Sequence, residues 1–278
     1  MRSRFHLLWV VAALAASAAH AAGPIAVYHF DEAGGRQASD SVGAAHGTLQ
    51  GDAAFAPEGV SGNCLHLTRA GGGLVHFGDR FAFEQGDYSI VVWVKTAVPL
   101  TDADTFIVSR HQAGWENGYF LFLHTTAWYG RAERASFYAS DQIISTSAVT
   151  DGRWHQVAAV YRANGTSELY VDGAPAQASA KIRPMVPNKA PFVVGGVTWG
   201  DAPRGSLTGW VDELRLYSGA LTADEVQALF RQPSGVGGPT VDTKPGARQE
   251  MVITFADGRT QTIRLSAPAE TIASITFR

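Results

Sequence analysis

Cysteine is almost absent from this sequence, which has one, Cys64, among 278 residues. A single cysteine excludes an internal disulfide, so no covalent framework holds the chain together. Hydrophobic residues make up 46% of the sequence and supply ample material for a core instead. The length suits one large domain with a small additional segment.

An excess of positive charge is also missing. The chain has 22 Lys and Arg residues against 25 Asp and Glu residues, a net charge of −3. Proteins that bind nucleic acid need a basic surface to neutralise phosphates. The sequence therefore predicts no nucleic acid partner.

Long apolar runs are missing outside the N-terminus. Residues 1–21 begin with Arg2 and Arg4, continue with an apolar stretch and end in Ala19-His20-Ala21, which is the pattern of an export signal and its cleavage site. The stretch is shorter than the ~20 residues that span a bilayer, which favours cleavage over a retained anchor. Cleavage removes two arginines and changes the net charge from −3 to −5. We expect a secreted, periplasmic or cell-surface protein without membrane insertion after cleavage.

The clearest structural pattern is DGRWHQVAAVYRANGTSELYVDG, residues 151–173. Residues 154–161 are apolar on both alternating faces, Asn164-Gly165 favours a tight turn, and residues 168–171 return the chain. This pattern predicts a β-hairpin whose first strand lies in the middle of a sheet. Thirty glycines and many short aromatic or β-branched segments extend the prediction to an all-β fold.

One helix is predicted after the last long strand. Thr222 is a typical N-cap and Glu225 follows three residues later, so we expect a short helix over residues 221–230. The domain prediction is then a signal peptide (1–21), a main domain (22–231), a Gly/Pro linker (232–247) and a small β tail (248–278) with strands at 251–255, 260–265 and 271–277.

Several segments resemble, in order, the laminin-G-like, concanavalin A-like jelly-roll family of lectin and glucanase-like domains. They are YHFDEAGG at 28–35, DSVGAAHGTLQG at 40–51, DYSIVVWVK at 87–95, GRWHQVAAVY at 152–161 with LYVDG at 169–173, and GWVDELRLYSGALTADEV at 209–226. The resemblance implies an antiparallel two-sheet sandwich over residues 25–230, with the helix and the tail as additions. It also implies that Cys64 is buried and unreactive. Such folds carry many unrelated activities.

Motifs for catalysis are missing. Glucanases of this superfamily carry E-x-D-x-x-E on one strand, which aims two glutamates at the same sugar bond, and this sequence has no such string. It also lacks a G-x-S-x-G elbow and histidines at close zinc-ligand spacing. His155, beside a strand tryptophan, is typical of a hydrogen-bonded structural histidine. We expect no enzymatic activity.

Aromatic residues in loops are the predicted ligand site, because pyranose rings present apolar C–H patches edged with hydroxyls. The loop aromatics are Trp115, Trp128, Tyr129 and Trp199, and the predicted polar companions are Arg110 and His111. The alternative for each aromatic is packing beneath a long loop. Three further tryptophans lie in strands and are predicted to be core residues: Trp93, Trp154 and Trp210.

A structural calcium ion is also expected. Simple alternation puts Asp212 on the apolar face of its strand, and a buried carboxylate needs a partner. The resemblance implies that the first and last strands pair, which brings Asp31, Asp40 and carbonyls of residues 46–48 towards Asp212. Carboxylates and carbonyls suit Ca²⁺, and members of the family often bind it in their loops. The alternative is that Asp212 caps backbone amides or pairs with an arginine.

These observations together predict an exported, non-catalytic module that binds an extracellular or cell-surface glycan or glycoprotein. The first alternative is a structural or adhesion module that binds a protein surface. A glycan-degrading enzyme is the second alternative.

Overall fold

The computed structural model describes residues 23–83, 86–97, 105–111, 118–124, 133–139, 141–179, 188–199 and 202–234, and the backbone of three tail strands at 240–243, 250–254 and 260–264. The predicted signal, residues 1–21, lies outside these ranges. No helix within them is long and apolar enough to cross a membrane.

The strands before the central hairpin are β1 (Ala26–Tyr28), β2 (Gln37–Ala38), β3 (Gly47–Gln50), β4 (Ala54–Ala56), β5 (Cys64–Leu67), β6 (Leu74–His76), β7 (Tyr88–Lys95), β8 (Thr105–His111), β9 (Gly118–Leu123), β10 (Arg134–Tyr138) and β11 (Gln142–Ala148). The remaining elements are β12 (Trp154–Tyr161), β13 (Ser167–Val171), β14 (Ala174–Ser179), β15 (Val193–Val194), β16 (Val197–Trp199), β17 (Ala202–Arg204), β18 (Gly209–Tyr217), α1 (Ala223–Arg231), β19 (Thr240–Thr243), β20 (Glu250–Thr254) and β21 (Thr260–Arg264).

Two antiparallel sheets of eight described strands each form the sandwich. The first sheet has the order β14-β13-β12-β7-β18-β5-β4, and β1 also pairs with β18. The second sheet has the order β11-β10-β9-β8-β15-β6-β3-β2. Strands β16 and β17 form a ribbon, and β19, β20 and β21 form a separate tail sheet. The predicted all-β sandwich is confirmed.

The central hairpin is also confirmed. Strand β12 pairs with β13 on one side and with β7 on the other, so it lies within the sheet as predicted. Gly165 supplies the left-handed residue of the turn, at φ 89°. His155 is held by two carboxylates, with Nδ1 at 2.9 Å from Asp172 and Nε2 at 3.0 Å from Asp151, so it is hydrogen-bonded as predicted.

Strand alternation divides the side chains of the first sheet between two cores. On β7, Tyr88, Ile90, Val92 and Val94 enter the main core between the sheets, whereas Val91 faces outwards. Each fully buried side chain of this size contributes roughly 1.5–3 kcal/mol. Cys64 is buried in the first sheet, and burial raises the pKa of its thiol to about 11, as expected for an unreactive residue.

Helix α1 covers part of the outer face of the first sheet. Val226 and Leu229 are buried there against Val91. Phe230, in the last turn, stacks on Trp93 with ring centroids 5.4 Å apart. A Cβ atom at Gly173 (φ 74°) would lie 2.8 Å from the Cβ of Phe230, so this glycine lets the helix approach the hairpin.

Strand β18 departs from simple alternation. A bulge shifts its register against β7 between Asp212 and Arg215, with Glu213 left-handed at φ 47°. As a result Val211 lies in the main core with Leu214 and Leu216. The prediction that Asp212 shares a face with these two leucines is wrong. Trp210 is therefore partly exposed, as is Trp154, so neither is the core residue predicted from the sequence.

The tail begins earlier than predicted. Strand β19 lies inside residues 232–247, the predicted linker, because Thr240, Val241 and Thr243 supply β-branched residues that pair with β20. Strands β20 and β21 agree with the prediction to within a residue. The predicted strand at 271–277 lies outside the described residues.

The capping box of α1 generates a stability prediction. Thr222 accepts a hydrogen bond from the Glu225 amide, and the Glu225 carboxylate accepts one from the Thr222 amide. Thr222→Ala should lower the free energy of unfolding by about 1 kcal/mol in urea denaturation. Thr222→Ser keeps the hydroxyl and should retain most of the stability. Equal losses in both variants would assign the effect to the threonine methyl group.

Candidate functional site

An aromatic cluster lies on the outer face of the second sheet. Phe106, Phe120, Phe122 and Val197 form a buried group separate from the main core, and Tyr138 packs against it. Phe120 stands edge-on to Phe106 with centroids 5.2 Å apart and stacks on Tyr138 at 4.9 Å. We call these five residues the outer aromatic cluster.

Alternation along β9 positions this cluster. Tyr119, Leu121 and Leu123 enter the main core, so the intervening Phe120 and Phe122 face the other way. The sequence GYFLFLH at residues 118–124 carries this signal, but aromatic residues in strands were predicted to be core and only those in loops to bind ligand. Strand aromatics on an outer face are distinguished from core residues only once the sheet order is known.

Two histidines flank the cluster with polar groups. The ring of His111 stands edge-on to Phe120 at 4.8 Å, and the ring of His124 lies 4.8 Å from Phe122. His124 Nε2 is 2.7 Å from the side-chain nitrogen of Gln142. His111, a predicted ligand residue, therefore lies at the cluster, while His124 and Gln142 are polar neighbours that the sequence analysis missed.

The predicted loop aromatics follow these strands directly. Residues 112–117, with Trp115, join β8 to β9, and residues 125–132, with Trp128 and Tyr129, join β9 to β10. These three aromatics lie outside the described residues. Trp199 is the last residue of β16, and Val197 of the same strand belongs to the outer aromatic cluster.

Arg110 has a structural position rather than an exposed one. Its guanidinium donates from Nε to the Arg80 carbonyl at 2.9 Å, from Nη2 to Asp79 Oδ1 at 2.7 Å, and from Nη1 and Nη2 to the side chain and carbonyl of Asn188. The residue is 2% exposed. These bonds attach two loop segments to β8 at the base of the connection that carries Trp115.

A second polar group lies at the β18 bulge of the first sheet. Both carboxylate oxygens of Glu213 lie 2.9–3.0 Å from His29 Nδ1, and Arg215 Nη2 donates to Glu213 at 2.8 Å. Arg215 also donates to the Pro233 carbonyl, beyond the end of α1. The hydrogen bond with Glu213 raises the pKa of His29 against the opposing effect of burial.

Asp212 and Asp31 both hold the loop at residues 58–63. Asp212 Oδ2 accepts from the amides of Val60 at 2.7 Å and Ser61 at 3.2 Å, and Asp31 Oδ1 accepts from the Asn63 amide at 2.7 Å. Asp212 is fully buried, and desolvation raises its pKa to about 7 although backbone amides lower it. Asp212 thus accepts hydrogen bonds from backbone amides, and calcium binding at this carboxylate stays a prediction.

Asp40, the third predicted calcium ligand, holds a different set of amides. Its carboxylate accepts hydrogen bonds from Val27, Val42 and Ala45 at 3.0–3.2 Å. Burial raises the pKa of Asp40, but these amide bonds outweigh burial and lower it overall. Strands β1 and β18 pair as expected, yet among the described residues no three His, Cys, Asp or Glu side chains are grouped to hold a metal ion.

Comparison with known families identifies one match. The model of the concanavalin A-like lectin/glucanases superfamily matches residues 69–227. No curated protein matches the chain.

Solved structures with a similar fold include sugar-binding and receptor-binding domains. Domain 4 of AbnA, a GH43 extracellular arabinanase from Geobacillus stearothermophilus solved with arabinotriose, has a TM-score of 0.57 and 24% identity, covering 76% of this chain and 99% of that one. The receptor binding domain of botulinum neurotoxin type G has a TM-score of 0.55 and 15% identity, covering 87% of this chain and 62% of that one. A sialidase from Trypanosoma rangeli has a TM-score of 0.57 and 17% identity, covering 77% of this chain and 34% of that one. At these identities the likeness concerns the fold.

The ion pair of His29 generates a pH prediction. A histidine whose pKa is raised by folding stabilises the protein fully below its unfolded pKa of about 6.5, and this contribution is lost as the pH rises through the folded pKa. His29→Gln should therefore cost roughly 1 kcal/mol at about pH 6 and less at about pH 9 in urea denaturation. His76→Gln is the control, since His76 forms no ion pair within the described chain. A cost for His29→Gln that does not change with pH would contradict a charged pair.

Proposed function

Because the chain belongs to the concanavalin A-like lectin/glucanases superfamily, we propose that it is an exported, non-catalytic module that binds an extracellular or cell-surface glycan or glycoprotein. The outer aromatic cluster carries this proposal. It gives the second sheet a buried aromatic layer on its outer side, beside the side chains of His111, His124 and Gln142. A sugar ring needs apolar surface edged by polar groups, which the loop aromatics joined to these strands would supply.

The loops that follow β8 and β9 would form the contact surface itself. The cluster is buried, so its rings would support the site from below, and Trp115, Trp128 and Tyr129 would meet the ligand. Arg110 would fix the base of the first loop, since its guanidinium already holds Asp79 and Asn188. A fixed base lowers the conformational entropy that binding costs.

The described residues of the outer aromatic cluster and its polar neighbours include no carboxylate pair, which supports binding without catalysis. Glycoside hydrolysis uses two carboxyl groups on either side of the scissile bond. The outer aromatic cluster and its described polar neighbours His111, His124 and Gln142 contain none. The arabinotriose complex of AbnA domain 4 supports a sugar ligand. A protein surface is the second candidate.

Glycan binding is tested on an array that includes arabinotriose, followed by titration calorimetry on a positive glycan. Each of the variants Trp115→Ala, Trp128→Ala and Tyr129→Ala should weaken binding by roughly 1–3 kcal/mol, the contribution of a stacked aromatic side chain. Trp210→Ala, on the opposite sheet, is the matched control and should leave the affinity unchanged. A blank array would favour the protein-binding candidate, and turnover of a bound glycan would overturn the non-catalytic proposal.

We also propose a structural calcium ion beside the loop at residues 58–63. Asp212 is a buried carboxylate that forms no ion pair within the described residues, so a cation would offset its desolvation. Asp31 holds the same loop and would be the second ligand, with backbone carbonyls completing the oxygen donors that Ca²⁺ prefers. Asp40 does not belong to this set in the structure.

Chelation tests the calcium proposal. A chelator should lower the melting temperature of protein that contains calcium, and Asp212→Ala should remove this sensitivity because the ligand is lost. Asp40→Ala is the matched control and should stay sensitive to the chelator. An unchanged melting curve on protein shown by elemental analysis to be metal-free would leave amide capping as the role of Asp212.

A further inference from the structure

The outer face of the first sheet has a second aromatic surface beside α1. Strand register places His66, Trp210, Lys95 and Trp154 directly across from one another on β5, β18, β7 and β12. His66 packs on Trp210 at 5.1 Å, and Lys95 Nζ lies 4.9 Å from the Trp210 ring centroid and 5.7 Å from that of Trp154. We call these four residues the aromatic row.

The aromatic row is only partly buried, unlike the neighbouring surface. Two residues from Lys95 on the same strand, Trp93 is covered by Phe230, and Val91 beyond it lies under α1. All four residues of the row remain partly exposed. The helix therefore covers one end of this outer face and stops short of the row.

The tail sheet has an apolar face without a described partner. Register places Val241 opposite Ile253 and Met251 opposite Ile263, so these four residues share one face of the sheet, together with Thr243 and Gln261. The other face carries mainly polar residues: Thr240, Asp242, Glu250, Val252, Thr254, Thr260, Thr262 and Arg264. A three-stranded sheet of this size needs to bury its apolar face to be stable.

The chain brings the tail close to the aromatic row. After α1 it passes Pro233, whose carbonyl is held by Arg215 on β18. Residues 234–239 then join Pro233 to β19, a connection that spans at most about 25 Å. Trp210 precedes Arg215 by five residues on the same strand, about 15 Å away. The row is therefore within reach of the tail.

We propose that the tail sheet packs its apolar face on the aromatic row of the same chain. The dimensions match, since four adjacent strands place His66 about 14 Å from Trp154, and strands of five residues are about 17 Å long. Sheet-on-sheet packing would bury the exposed parts of both tryptophans and the apolar face of the tail together. The tail is thus a continuation of the cover that α1 begins.

Limited proteolysis of the full chain tests this docking. Trypsin can cleave the tail after Arg248, Arg259 and Arg264, and docking should protect these sites. Trp210→Ala and Trp154→Ala remove the proposed contact without changing the tail. Each should accelerate cleavage about tenfold, because the cleavage rate is proportional to the fraction of molecules with an undocked tail. Val42→Ala, at an exposed residue elsewhere on the sandwich, is the control and should have no effect.

A matched pair in the tail tests the face. Ile253→Gln should accelerate cleavage about tenfold, whereas Val252→Gln, the same change on the opposite face, should not. Equal cleavage rates in the wild type and in Ile253→Gln would overturn docking. Faster cleavage in Ile253→Gln but in neither tryptophan variant would mean that the tail docks elsewhere. A dimer detected by light scattering would mean that a second copy of the chain covers the aromatic row. Loss of glycan binding in Trp210→Ala, with the tail still protected, would make the row a sugar site instead.

Discussion

Pairing between the first and last strands of the sandwich is the constraint on which the rest depends. Strand β1 adds to β18 with Ala26 opposite Leu216, and β18 also pairs with β7 and β5, so the two ends of the domain meet in the middle of the first sheet. This contact carries a large loop-closure entropy, because nearly the whole domain lies between the two strands. The bulge at Asp212 and Glu213 reinforces it, because those carboxylates hold His29 and the loop at residues 58–63. A buried charge at this junction is tolerated because each carboxylate has hydrogen-bond donors.

The sequence alone predicted those elements whose signals are local. The hairpin at residues 151–173 and the capped helix α1 follow from turn, alternation and capping residues that lie within a few positions of one another. The β18 bulge was missed because Asp212 and Glu213 read as ordinary alternating strand residues, and the extra residue becomes visible only against β7. Trp154 and Trp210 were assigned to the core for a related reason. Alternation gives two faces but does not say which of them a second layer covers.

The candidate ligand site was predicted in a similarly partial way. His111 lies at the outer aromatic cluster, but Phe106, Phe120 and Phe122 were not recognised because they look like core strand residues. Arg110 next to it was predicted to be a polar group of the ligand site, and only the three-dimensional positions of Asp79, Arg80 and Asn188 explain why its charge is buried. The two outer faces of the sandwich consequently differ in their cover. The outer face of the second sheet carries the outer aromatic cluster. The outer face of the first sheet is partly covered by α1 and carries the bulge of β18.

Gly173 links two of these features in a way that has an evolutionary consequence. Its left-handed backbone is explained by the turn between β13 and β14 alone, and the same residue leaves room for Phe230 of the helix, which stacks on Trp93. A substitution at Gly173 would therefore strain the turn and displace the helix together. Backbone geometry and layer spacing therefore constrain the same position. A relative without the helix would keep only the constraint from the turn.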